Sequence, residues 1–277
     1  MSQTPLSFTA VVLAGDRKPG DPIAEAAGVS GKAFAPVGGK PMVIRVLDAL
    51  DAAKSIEAQI LCGPPQTALH NQTILATRVS SHRVRWVEPQ ATPSASAYHV
   101  MQGLPDTTPV LLTTADHALL TSDMVDYFCT QAVVQKCDLA VGVVPYELVA
   151  KAYPGMRRTA TRLRDGAYCS CNLFAFVTPA AWDAAAMWCQ VEQNRKRPWK
   201  IVQAFGWGAV LQYVLGRLSL SDGFARVSTK MGFNVQAVLM PYAQAAVDVD
   251  TVEDWKFVES LVRPQDAPRL SQERQHD

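Results

Sequence analysis

Several groups of polar residues follow directly on short apolar runs, and their types suggest a common chemistry. Gly15, Asp16, Arg17 and Lys18 come after Phe8 to Ala14, with Gly20 and Lys32 further on. Pro89, Gln90, Ser94 and Ser96 come after Val84 to Val87. Asp116 and His117 come after Val110 to Thr114, and Asp248 and Asp250 close a late run that starts at Ala246. Phosphate oxygens are bound by Lys, by Arg and by backbone N–H groups near glycine. Mg²⁺ is satisfied by one or two carboxylates together with those phosphates. Glycine, cations and small hydroxyls, with acids from two distant places, therefore fit a Mg²⁺-phosphate site. Each residue also has an ordinary structural use. Asp116 suits a turn or cap, Asp248 and Asp250 a strand end and a helix cap, Ser94 and Ser96 a helix start. Lys32 and Lys40 suit solvated loops.

These residues share an edge only if the runs before them are parallel strands, because ligands of open α/β sheets bind beyond the strands' carboxyl ends. Phe8 to Ala14 reads as a strand buried on both faces, as do Ala58 to Cys62, Val84 to Val87, Val110 to Thr114 and Leu139 to Val144. Leu173 to Val177, Val235 to Leu239 and Ala246 to Val249 read as later strands. Met42, Val43, Val46, Leu47 and Leu50 fall at helical spacing behind Pro41. Further helices are expected over Ser94 to Gly103, from Thr121 to about Lys136 and over Trp182 to Gln193. Arg17 to Ser30 reads as a long loop. Thr251 and Asp254 form a capping-box pattern for a closing helix, Val252 to about Val262. The predicted architecture is α/β, with a mostly parallel central sheet flanked by helices. A single domain spans 1–277, with an acceptor-side subdomain at about 145–235 and a frayed tail at about 264–277.

Composition narrows the class. The chain has 277 residues, 48% hydrophobic and 18% charged, which is that of an ordinary globular protein. Lys and Arg number 26 and Asp and Glu 25, so no basic excess suggests nucleic acid as a partner. No apolar run approaches the roughly 20 residues of a membrane span, and the first ten residues lack a secretory pattern. The six cysteines show no CxxC pair and no zinc spacing, which fits a reducing cytoplasm. Gly15 to Gly20 has Walker spacing, but Asp21 and Pro22 follow where Lys and Ser or Thr belong, and no GxGxxG is present. Arg195, Lys196, Arg197 and Lys200 form a basic loop that is either solvated or holds an anionic acceptor. Oligomeric state is open.

Three stretches together resemble one family. Leu13-Ala-Gly15 followed by Gly31-Lys32 and Gly39-Lys40-Pro41 is similar to the opening of the sugar-type nucleotidyltransferases, which have a GT-A-like fold and include molybdenum-cofactor guanylyltransferase-like proteins. Thr114-Ala-Asp116 with Leu119-Leu120-Thr121 resembles the family's central metal motif, and Val247 to Asp254 its late Asp-x-Asp motif. The resemblance implies that Lys32 contacts the triphosphate, with Arg17 or Lys18 assisting. It implies that Asp116 and Asp250 hold Mg²⁺, with Asp248 as an outer or alternative ligand. Ala14, Gly15, Pro89, Ser94 and Ser96 would receive base and ribose, and Asn172 falls where sugar-type members contact the acceptor. The reaction implied is transfer of a nucleoside monophosphate from an NTP to a phosphorylated small-molecule acceptor, releasing pyrophosphate. Two departures stand out. Asp16 replaces a family glycine, placing negative charge near the β- and γ-phosphates. Lys32 lies fifteen positions after Arg17, further than usual. The alternatives are a glycosyltransferase using a ready-made nucleotide sugar, and a nucleotide-binding protein without catalysis.

Overall fold

The computed structural model describes residues 6–16, 20–69, 72–156, 158–193, 213 and 215–262. Strand β1 (Phe8–Leu13) is buried along its whole length, as its unbroken apolar sequence requires. It is the parallel partner of β4 (Ile56–Cys62) on one side and of β6 (Val110–Thr114) on the other. Strands β5 (Arg85–Val87), β7 (Leu139–Pro145), β8 (Thr161–Leu163), β9 (Gly166–Phe176) and β10 (Val235–Leu239) complete an eight-stranded sheet, ordered β10-β7-β9-β6-β1-β4-β5 with β8 paired to β9. All pairings along that path are parallel except those of β9, which runs antiparallel between β6 and β7. The expected mostly parallel α/β sheet is thus the one observed.

Helices cover both faces. Helix α2 (Met42–Asp51) buries Met42, Val43, Val46, Leu47 and Leu50, as their spacing requires. It shares one core with α6 (Ser122–Val134) and α7 (Tyr146–Ala152). The opposite face carries α5 (Pro93–Gln102), α8 (Trp182–Gln193) and α9 (Leu220–Met231) over a second core. Short helices α3 (Gln66–Leu69) and α4 (Thr73–Ser80) connect β4 to β5. The turn joining β2 (Pro36–Val37) to β3 (Lys40–Pro41) is Gly38-Gly39, both at positive φ, a conformation that glycine adopts without cost.

Two expectations are corrected. The segment Arg17 to Ser30 is not all loop, because it contains α1 (Pro22–Ala27). The signal was Asp21-Pro22, in which Asp21 Oδ1 accepts the N–H groups of Ile23 (2.9 Å) and Ala24 (3.3 Å) and Pro22 starts the helix. Ala246 to Val249 is not a strand. Residues Ala243–Ala246 form a 3₁₀ turn, and the extended residues after it meet the sheet's edge loop through Val249 N–H, which donates to Asp116 O at 3.1 Å. The closing helix α10 (Val252–Val262) begins as its capping pattern predicts, with Asp254 N–H on Thr251 Oγ1 (3.1 Å) and Thr251 N–H on the Asp254 carboxylate (2.9 Å).

A third, small core joins the ends of the chain. Ile23, Val37 and Met42 from the first fifty residues pack with Val247, Val249 and Val258 from the last sixteen described. Trp255 Nε1–H donates to Pro36 O at 2.7 Å across the same junction. This packing carries the late acidic segment to the carboxyl edge of β1. No described helix is long and apolar enough to cross a membrane.

Candidate active site

The carboxyl ends of β1 and β6 lie level, with Leu13 opposite Thr114, so the residues just past them emerge side by side. Ala14 N–H bonds to Cys62 O (2.8 Å) and Ala115 N–H to Leu13 O (2.9 Å), which extends the ladder one step and fixes both loop starts. A cavity of about 210 Å³ opens there, lined by Ala14, Gly15, Asp16, Lys32, Asp116 and Asp250, with Asp21, Pro93 and Thr114 also in its wall.

Lys32 is the centre of this cavity. Its Nζ lies 2.6 Å from Asp116 Oδ2 and 3.4 Å from Asp250 Oδ1. The other oxygen of Asp116 accepts Thr114 Oγ–H at 2.6 Å, so that carboxylate is held at both ends. Burial alone would lower the Lys32 pKa. The two carboxylates outweigh it and raise the pKa above the usual lysine value, so the ammonium is charged at neutral pH. Two hard oxygen donors, from residues 134 positions apart, thus converge on one cation position. Among the described residues no cluster of three or more His, Cys, Asp or Glu is placed to hold a metal. A cation on Asp116 and Asp250 would need its remaining ligands from substrate or water, the habit of Mg²⁺ rather than of a structural metal.

A narrow slot adjoins the cavity, lined by Gly15, Pro89, Gln90, Thr92 and Ser96. Ser96 Oγ accepts Gln90 N–H at 2.9 Å, so the hydroxyl shapes the slot's backbone. Ser94 is fully buried and its Oγ lies 3.2 Å from Thr92 Oγ1, which in turn caps α5. It lies outside the lining of both spaces.

Asp248 and Asn172 form a separate group. Asn172 Nδ2–H donates to Asp248 Oδ2 at 3.3 Å, and Arg158 forms an ion pair with the other carboxylate oxygen. A register break in β9 delivers Asn172, since Val141 pairs with Phe174 but Val143 with Ser170. Asp248 is therefore held by a cation of the chain and does not line the cavity with Asp116 and Asp250. His117 is buried beneath the site, and burial pushes its pKa down to about 4, so it is neutral.

The structure brings together Ala14, Gly15, Lys32, Asp116 and Asp250, sets Pro89 and Ser96 beside them, and leaves Ser94, Asn172 and Asp248 apart. Arg17 and Lys18 lie outside the described residues, as do the basic loop at 194–200 and the tail. Sequence reasoning missed Arg158, because it is one of four arginines between 157 and 164 and nothing local marks it out from the others.

Comparison with known proteins identifies the family. The family model described as "MobA-like NTP transferase domain" matches residues 10–164, which include Lys32 and Asp116 but not the late acidic motif. A hypothetical transferase structure from Thermus thermophilus is 29% identical, with a TM-score of 0.73 over 90% of this chain and 100% of that one. The 4-diphosphocytidyl-2C-methyl-D-erythritol synthase of Anaerococcus prevotii DSM 20548 is 14% identical, with a TM-score of 0.55 over 93% of this chain and 96% of that one. A CMP:2-keto-3-deoxy-manno-octonic acid synthetase solved with CTP is 10% identical, with a TM-score of 0.55 over 93% and 98%. The last two share the fold. No curated protein matches the chain.

Proposed function

The chain belongs to the MobA-like NTP transferase family and is a nucleotidyltransferase, and from that premise we propose that it moves a nucleoside monophosphate from an NTP to a phosphorylated small-molecule acceptor. The observation that carries this reading is the convergence of Lys32, Asp116 and Asp250 in one cavity that opens into a slot. The slot would take the nucleoside and the cavity the phosphates. Asp116 and Asp250 would hold Mg²⁺, which when bound neutralises phosphate charge.

In this reading an acceptor oxygen attacks the α-phosphorus, the α–β bridging bond breaks, and the electron pair leaves with pyrophosphate. Negative charge spreads over the α-phosphoryl oxygens in the transition state. Lys32 turns from Asp116 to those oxygens and stabilises them. Thr114 keeps Asp116 oriented throughout. The Arg158–Asp248–Asn172 group would hold the late acidic segment in place, with Asn172 facing the acceptor side. Catalysis here is positioning and charge stabilisation, without a covalent enzyme intermediate. The free, mostly buried cysteines fit a cytoplasmic setting.

Thermal unfolding with each of ATP, CTP, GTP and UTP, with and without Mg²⁺, tests the reading. A ligand at a hundred times its Kd stabilises by about 2.7 kcal/mol, a shift of roughly 5–10 °C for a chain of this size. A Mg²⁺-dependent shift with one NTP, absent in Asp116→Asn, is the expected result. No shift with any NTP in a folded sample would overturn it.

A further inference from the structure

Asp16 stands where the slot and the cavity meet. Leu13, Gly15, Asp16 and Pro93 line both spaces, and Asp16 is the charged one. Both of its carboxylate oxygens accept the backbone N–H of Lys32, at 3.2 and 3.3 Å. A Cβ at Gly31 would lie 2.9 Å from Asp16 Oδ2, so the backbone packs closely behind the carboxylate. The group is thereby fixed to the same residue whose ammonium pairs with Asp116 and Asp250.

The surroundings are already electronegative. Asp16, Asp21, Asp116 and Asp250 are four carboxylates in the cavity wall, against the single ammonium of Lys32 among the described lining residues. That ammonium is itself committed to Asp116 and Asp250. Burial and the nearby Asp21 carboxylate both push the Asp16 pKa up, although the Lys32 N–H pulls it down. Among the described lining residues a bare triphosphate entering here meets four carboxylates against one ammonium, with Asp16 lining both spaces.

We infer that Asp16 is a specificity-determining residue that makes the site reject a metal-free nucleoside triphosphate and accept one already neutralised by a divalent cation. The inference rests on the nucleotidyltransferase reading of the cavity. A carboxylate about 5 Å from a phosphate charge weakens binding on the order of a hundredfold at the effective dielectric of a protein surface. A divalent cation between the two removes most of that effect. The site is therefore selective for charge state before it is selective for base.

The test is calorimetric titration of the full chain with each of the four NTPs, in EDTA and in Mg²⁺. It compares wild type with Asp16→Asn, which keeps an acceptor oxygen for the Lys32 N–H, and with Asp16→Ser. Melting temperatures confirm that the variants are folded. Both variants are expected to bind the preferred NTP about 10- to 100-fold more tightly than wild type in EDTA, and within about threefold of wild type in Mg²⁺. Equal affinities in EDTA, with Mg²⁺-dependent binding intact, would overturn the role of Asp16 and leave the proposed function standing. Absence of NTP binding by wild type and both variants in Mg²⁺ would overturn both.

Discussion

Lys32 Nζ lies 2.6 Å from Asp116 Oδ2, a contact between residues 84 positions apart. It forms because β1 and β6 are parallel neighbours and end level, so the loops after them meet. The ammonium sits where a metal ion on Asp116 and Asp250 would also sit. In the proposed reading, substrate draws Lys32 away. Lys32→Ala and Asp116→Asn are each expected to lower kcat for NTP-dependent pyrophosphate release by about 10²–10³, the usual cost of losing one charge-stabilising group. Lys32→Met should in addition bind Mn²⁺ more tightly than wild type without nucleotide, read by the loss of free Mn²⁺ signal in paramagnetic resonance. Unchanged Mn²⁺ affinity would show that Lys32 does not compete for the two carboxylates.

Arg158 and Asp248 are both mostly buried, at 13% and 22% side-chain exposure, so each needs the other. Arg158→Ala leaves a buried carboxylate without its cation and is expected to cost about 1–3 kcal/mol in urea unfolding. The double variant Arg158→Ala, Asp248→Asn should recover part of that loss, since the stranded charge is gone. Purely additive losses would mean that the pair is not coupled.

Gly63 packs against the first loop. Its φ is +84°, and a Cβ there would lie 2.8 Å from Gly15 N and 3.1 Å from Ala14 C. Gly155 has a similar φ of +88° with nothing within 4 Å of its Cβ position. Gly155→Ala should cost about 1 kcal/mol from backbone strain alone, and Gly63→Ala about 1–2 kcal/mol more from the clash. Gly63→Ala should also weaken NTP binding, because relief of the clash moves Gly15. Equal stabilities for the two variants would remove the steric argument.

Asp126 on α6 accepts the N–H of Lys54 (3.1 Å), the N–H of Ser55 (2.8 Å) and the hydroxyl of Ser55 (2.7 Å), tying the helix to the turn before β4. Its slight burial would raise its pKa, but the bonds from Ser55 and Lys54 outweigh it and hold the carboxyl below its usual value. The unfolded chain, at about 3.9, then takes up the proton first as pH falls. The stabilisation is complete above that value and is lost as pH drops through the lower, folded one. Asp126→Asn should be about 1–2 kcal/mol less stable than wild type at pH 7. The gap should narrow toward pH 3 in urea titrations at the two pH values. A constant gap would assign the loss to geometry rather than charge.

Five of the six cysteines are buried and Cys189 is partly exposed. Burial pushes the thiols of Cys62 and Cys137 up to about 11 and those of Cys129 and Cys171 up to about 12. At pH 8 a disulfide reagent should therefore titrate one thiol quickly in the native protein and six in urea. Rapid loss of several thiols under native conditions would contradict the packing of both main cores.

Local pattern alone determined the parallel strands β1, β4, β5, β6, β7 and β10 and the helices α2, α5, α6 and α8. An unbroken apolar run such as Phe8 to Leu13 has no stable place except between two covered faces, and the spacing of Val43, Val46, Leu47 and Leu50 has one helical face. The cap at Thr251 and Asp254 was legible for the same reason, since its partners are three residues apart. Of the residues expected beyond the strands, Gly15, Lys32, Asp116 and Asp250 line one cavity, whereas Asp248 and Ser94 do not. Tertiary structure alone decided what those residues do to one another. That Lys32 lies between Asp116 and Asp250, while Asp248 turns to Arg158, depends on a sheet register and on the small core under α10. Two aspartates separated by one residue are equivalent in sequence. Only the packing of Val247 and Val249 into that core turns one toward the cavity and the other toward a buried arginine. Electrostatic partners 84 to 218 positions apart leave no local trace, because the energy that selects them exists only once the chain has folded.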